Sequence, residues 1–171
     1  MTETRSTPDS SVTAKLARGV VAGVIAGAVA SFAMDRFQAL VSPLMPSSGD
    51  ESEPATEKAA DAVATTMTGN AMPEADKPLA GQAIHYALGI ALGAAYGVAA
   101  EFRPAITAGY GTGFGLGTAT LLDEAAVPAL GLGEAPWNAG IAGNAYAYAS
   151  HLVFGGVSEM VRRQVAGTLT R

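Results

Sequence analysis

Four long apolar blocks parted by polar stretches set the pattern of this chain. Residues 19–34, 79–100, 105–122 and 139–157 contain no Asp, Glu, Lys or Arg. With their flanking turns they predict four helices, over about residues 17–41, 79–100, 105–122 and 138–160. Each is long enough to cross a hydrocarbon core of about 30 Å. The fold class that follows is an all-α integral membrane protein, a four-transmembrane-helix bundle.

Small residues recur inside the blocks at helical spacing. Gly19, Gly23 and Gly27 form one ladder, Gly89, Gly93 and Gly97 a second, and Ala139, Gly143 and Ala147 a third. Residues 105–122 carry two: Gly109, Gly113 and Gly117 on one helical face, Gly111 and Gly115 on nearly the opposite one. G-x-x-x-G rows let apolar helices approach closely in lipid. In a soluble helix five glycines would cost about 4–5 kcal/mol relative to alanine. In a bilayer the need to pair every backbone group overrides that cost. This block is therefore expected to be a central helix with neighbours on both sides.

The polar stretches complete the layout. Residues 1–14 are rich in Ser and Thr with no apolar periodicity and are expected to be a disordered cytoplasmic tail. The membrane domain then occupies 15–165, and 166–171 form a short tail. The loop 42–78 is acidic, and within it Ala59, Val63 and Met67 predict a short helix over 54–67 that ends at Gly69 and Asn70. Glu101 to Pro104 read as a tight turn, 127–136 as a Pro- and Gly-punctuated loop, and Trp137 as an interfacial aromatic. No A-x-A cleavage site follows the first block, which reads as an uncleaved span. Lys15, Arg18, Arg103, Arg162 and Arg163 fall on one side of the membrane and the loop 42–78 on the other. The positive-inside rule then places both termini in the cytoplasm.

Composition narrows the function classes. The chain is 49% hydrophobic and 15% charged, with a formal net charge of −5, which argues against nucleic acid as a partner. It has no cysteine, hence no disulfide, thiolate metal site or thiol nucleophile. The expected partners are the lipid bilayer and either a second copy of the chain or another membrane protein.

Several short motifs occur in a fixed order. The first block ends Met34, Asp35, Arg36, Phe37, Gln38. His85 is followed by Gly93, Tyr96 and the run Val98 to Glu101. Val127 to Leu132 precede Ala135 and Pro136, and His151 to Phe154 precede Glu159 to Arg163. On these residues, about 16–165, the chain resembles the YagU-like family of bacterial inner-membrane proteins, whose biochemical role is undefined. The loop after the first span departs from that family's version, richer in proline and aromatics. The resemblance implies a multi-pass protein of the bacterial inner membrane, with a link to acid stress, and supplies no reaction.

Ionisable groups inside spans are functional candidates by default. Asp35, His85, Asp123 and Glu124 thread to the outer leaflet, with His85 about 9 Å deep at about 1.5 Å per residue. His151 threads to the inner half of the last span, with Glu159 further in. Asn144, Tyr146 and Tyr148 add polar atoms to that span. Each has a bland alternative: Glu101, Asp123, Glu124 and Glu159 as headgroup residues, Asp35 paired with Arg36, His151 bonded to Ser150, Asn144 or a carbonyl. The ligand types for a metal are present, yet the chain has no H-x-x-x-H, E-x-x-H or cysteine, so no metal or cofactor is expected. G-x-S-x-G and G-x-G-x-x-G are absent too, and the chain reads as not an enzyme. The leading expectation is a non-enzymatic association, accessory or stress-related membrane protein. The alternative is a small transporter or proton pathway using His85, Asp35 and His151; a membrane enzyme built on the outer carboxylates ranks last.

Overall fold

A computed structural model of the chain describes residues 8–45, 53–138 and 140–170. Residues 1–7 of the expected tail, Asp50 and Glu51 of the acidic loop, Ala139 of the third ladder and Arg171 lie outside the described residues. The described residues are helical, with no strand among them. Three long helices carry the fold: α1, Pro8–Val41; α3, Lys77–Phe102; and α6, Gly140–Leu169. Between them lie α2, Ala55–Thr68, the ten-residue α4, Thr112–Leu121, and the single turn α5, Val127–Ala129. Helix α1 begins at Pro8, inside the stretch 1–14 expected to be disordered. Proline is well suited to a first helical turn, where its missing N–H has no carbonyl to meet.

The first two glycine ladders face each other across an antiparallel α1/α3 pair. A Cβ on Gly23 would strike the carbonyl of Gly93, one on Gly27 the carbonyl of Gly89, and one on Gly19 the backbone at Gly97 and Val98. Only hydrogen fits between these backbones, which is how a G-x-x-x-G row trades side-chain bulk for close helix approach. Helix α6 lies on the same α1 face. There Ala30, Met34 and Phe154 form a buried cluster, and the Phe37 and Tyr146 rings stack at 6.5 Å.

The third apolar block departs from its expected form. It does not run as one helix from 105 to 122. Pro104–Thr107 form a 3-10 turn, and Gly109, Tyr110 and Gly111 follow with φ of 74°, 54° and 84°. Three successive left-handed residues turn the chain, and two being glycine relieves most of the steric cost. The helix therefore starts at Thr112. It continues past Leu121 through a π turn, Leu122–Ala126, where the Val127 N–H reaches Leu122 O, and then into α5. Pro128 has no N–H for the carbonyls one turn back, so a regular α register cannot be kept there. The ladders divide accordingly. Gly111 and Gly115 press on Gly155 and His151 of α6, whereas Gly113 and Gly117 have nothing within 4 Å. Gly109 lies in the turn, so the expected Gly109/Gly113/Gly117 packing face does not form within the chain.

Helix α2 ends at Gly69, which is left-handed at φ 76°. It docks on α3 through Ala60 and Glu57, the latter against Gly81. Val63 and Met67, the positions that marked it in sequence, are exposed. Lys77 ties the start of α3 to this region through Glu53 at 3.1 Å and Glu74 at 2.6 Å.

Size sorts by side in this bundle. Its interior is lined by Ala22, Ala26, Ala30, Ser31, Ser150 and Ser158, while Val20, Ile25, Val29, Phe32, Leu88 and Leu116 point outward. Helices α1 and α3 are long and apolar enough to cross a membrane, and only 39% and 28% of their apolar windows are buried.

Candidate functional site

One end of the bundle holds a cavity of about 650 Å³ between α1, α3, the π turn and α6, with α2 at its rim. Two His–Asp pairs line it. Position 35 on α1 faces position 85 on α3 because the antiparallel ladders fix the register. His85 Nε2 lies 3.2 Å from Asp35 Oδ1, and Gln82 Nε2 donates to Asp35 Oδ2 at 2.7 Å. Asp35 therefore turns to α3 and not to Arg36, whose guanidinium lies over the Phe32 ring.

The second pair joins the π turn to α6. His151 Nδ1 lies 3.2 Å from Asp123 Oδ2 and 3.1 Å from Ala147 O. Sequence threading separates these residues, placing Asp123 at the outer end of the third span and His151 in the inner half of the fourth. Gly115, not Asp123, faces the His151 backbone, so the two residues sit at different levels of the α4/α6 seam and meet only through their side chains. Wide π turns within helices are frequent at functional sites, and this one sets an acid against a buried imidazole.

Two further groups at the cavity went unnoticed in the sequence. Ser31 is fully buried, lines the cavity, and its Oγ has no hydrogen-bond partner. Glu57 of α2 lines the rim. Neither a serine in a glycine-rich helix nor one acid among many in a polar loop carries a signal of its own. Glu124 and Asn144 do not line the cavity. Asn144 Nδ2 donates to Pro136 O at 2.9 Å, and Tyr148 OH meets Thr120 Oγ1 at 3.1 Å, so these polar atoms of α6 bond locally and between helices.

The opposite end of the bundle is built on Glu159, which is fully buried rather than a headgroup residue. Arg162 Nε and Nη2 donate to its two oxygens at 2.7 and 2.8 Å, Arg163 Nε donates at 2.5 Å, and Tyr96 OH at 2.9 Å. Arg163 also sits over the Tyr110 ring. Beside this network Arg18 bonds Glu101 through both Nε and Nη2, pinning the start of α1 to the end of α3. The spacing of Glu159 to Arg162 and Arg163 is helical and readable; Tyr96, 63 positions away, is not.

Aromatic rings separate the two ends. Phe154 lines the cavity floor, Phe114 packs on it at 5.7 Å, and Tyr96 stacks on Phe114 at 4.1 Å. Among the described residues no three His, Asp or Glu side chains converge as a metal site. A family sequence model described as "Protein of unknown function (DUF1440)" matches residues 43–160. No curated protein and no solved structure matches the chain.

Proposed function

The chain belongs to that family of unknown function, DUF1440, and from its cavity we propose that it is a small non-enzymatic membrane protein forming a proton pathway. The observation that carries this is the meeting of Asp35–His85 and Asp123–His151 around one 650 Å³ space. Histidine changes charge between about pH 5 and 8, and a carboxylate beside each ring can hold the proton between arrivals. The aromatic plug of Phe154, Phe114 and Tyr96 is the barrier between this space and the Glu159 network.

The membrane setting is part of the same reading. Four helical segments cross, with the segment 112–129 as a broken third span, and large apolar side chains meet lipid. The likeness to YagU-like proteins supports a multi-pass place in the bacterial inner membrane, with both termini cytoplasmic. Action by association is the second reading. It is favoured by Gly113 and Gly117, which stay open in the single chain.

The test is proton movement into sealed vesicles holding the full chain and a pH-sensitive dye. A pH step should give uptake above empty vesicles, lowered at least tenfold in the His85→Gln/His151→Gln variant. Uptake equal to that of empty vesicles between about pH 5 and 8 overturns the pathway.

A further inference from the structure

We infer that the cavity is a binding site for a small organic cation, an ammonium group on a short apolar body, held by Asp35, Asp123 and Glu57. The inference rests on the cavity reading above and names what it takes.

The sign of the lining comes first. Among the described residues three carboxylates face the space, and no lysine or arginine does. Arg36 lies over Phe32, and Lys77 between Glu53 and Glu74. Clefts lined by one sign of charge concentrate the opposite sign.

The unpartnered atoms come second. Ser31 Oγ is fully buried at the cavity and has no hydrogen-bond partner. It is pressed against Gly89 of α3 rather than open to the space, so the acceptors a ligand meets there are the carboxylates. His85 Nε2 is buried as well, and its approach to Asp35 lacks the geometry of a hydrogen bond. An ammonium group has three N–H donors, and carboxylate oxygens are the acceptors it needs.

Size and walls settle which cations. The space is far larger than a metal ion needs, and among the described residues its carboxylates do not converge as metal ligands do. Met34, Leu88, Leu92 and Phe154 supply apolar wall. Such a volume lies in the range of small-molecule sites, which pair mostly apolar walls with a few placed polar groups.

The experiment uses the full chain in detergent at about pH 8, above the usual histidine range, with titration calorimetry. The probes are butylammonium, 1-butanol and butyrate, which share a body and differ in charge. Butylammonium is expected to bind at least tenfold tighter than 1-butanol, with butyrate weakest. Asp35→Asn and Asp123→Asn, nearly isosteric changes, should each weaken it about tenfold or more, as expected for a lost charged hydrogen bond. Glu101→Gln, far from the cavity, should leave it unchanged. Butylammonium no tighter than 1-butanol, or indifferent to both Asp→Asn changes, overturns the assignment. The vesicle assay contains no amine, so proton uptake without amine selectivity sinks this inference alone, whereas no uptake sinks the reading beneath it.

Discussion

At the scale of single residues, the charges in this bundle divide by how they are neutralised. Glu159 has no exposure and is held by two guanidinium groups and a phenol; taking away one partner of such a buried set typically costs about 3–5 kcal/mol. Glu101 sits at the end of α3, where the hydrogen bond from Arg18 holds its carboxyl below the ordinary value of 4.5, against the opposing effect of burial. A carboxylate whose folded value is depressed adds stability above its ordinary value, and that contribution fades as pH falls through the depressed one. Wild type is therefore expected to melt above Glu101→Gln in detergent at neutral pH, with the difference closing as pH drops below about 4.5. Melting curves at stepped pH check this; a gap that stays constant or widens in acid would show that Arg18 does not depend on the carboxylate charge.

Helices are the scale at which the glycines act. Gly93 of α3 meets the Gly23 carbonyl and the Gly27 Cα, so Gly93→Ala forces two backbones apart and should cost about 1–3 kcal/mol. Gly117 on α4 meets nothing, and Gly117→Ala should gain up to about 1 kcal/mol from helix propensity. Thermal unfolding in one detergent compares the pair, and equal shifts of one sign would mean that the two ladders do not differ in packing. The α1/α3 ladders were legible because glycine at every fourth position on two adjoining apolar blocks points to one another's backbones. The third block misled for a physical reason. Five alternating glycines suit a close-packed helix and a left-handed turn equally well, and Gly109 and Gly111 were spent on the turn. The Asp123–His151 pair could not be foreseen because the two residues sit at different levels of the α4/α6 seam and meet only where the side chains reach along it from the π turn. The Asp35–His85 pair could, since it needs only the antiparallel register of α1 and α3.

Over the whole molecule the two ends differ in charge as they do in structure. Lys15, Arg18, Arg162 and Arg163 gather around Phe102, Glu101, Glu159 and Tyr110 at one end. Asp35, Glu57 and Asp123 gather at the cavity end, where Lys77 is bound by two glutamates. Only lysines and arginines near span ends set orientation, so the first end is expected to be cytoplasmic and the cavity to open outward. The absence of cysteine makes this measurable. Thr66 on the exposed side of α2 and Thr168 near the end of α6 are both solvent-facing, so a cysteine at either leaves the packing alone. In intact cells an impermeant thiol reagent should label Thr66→Cys at once and Thr168→Cys only after the membrane is opened. The reverse order would turn the molecule over, exposing the cavity to the cytoplasm and making any cation it binds an internal one. Labelling of both in intact cells would mean an odd number of crossings. The broken segment 112–129 is the one that could then enter and leave on the same side, as irregular helices do when protein or water shelters their backbone.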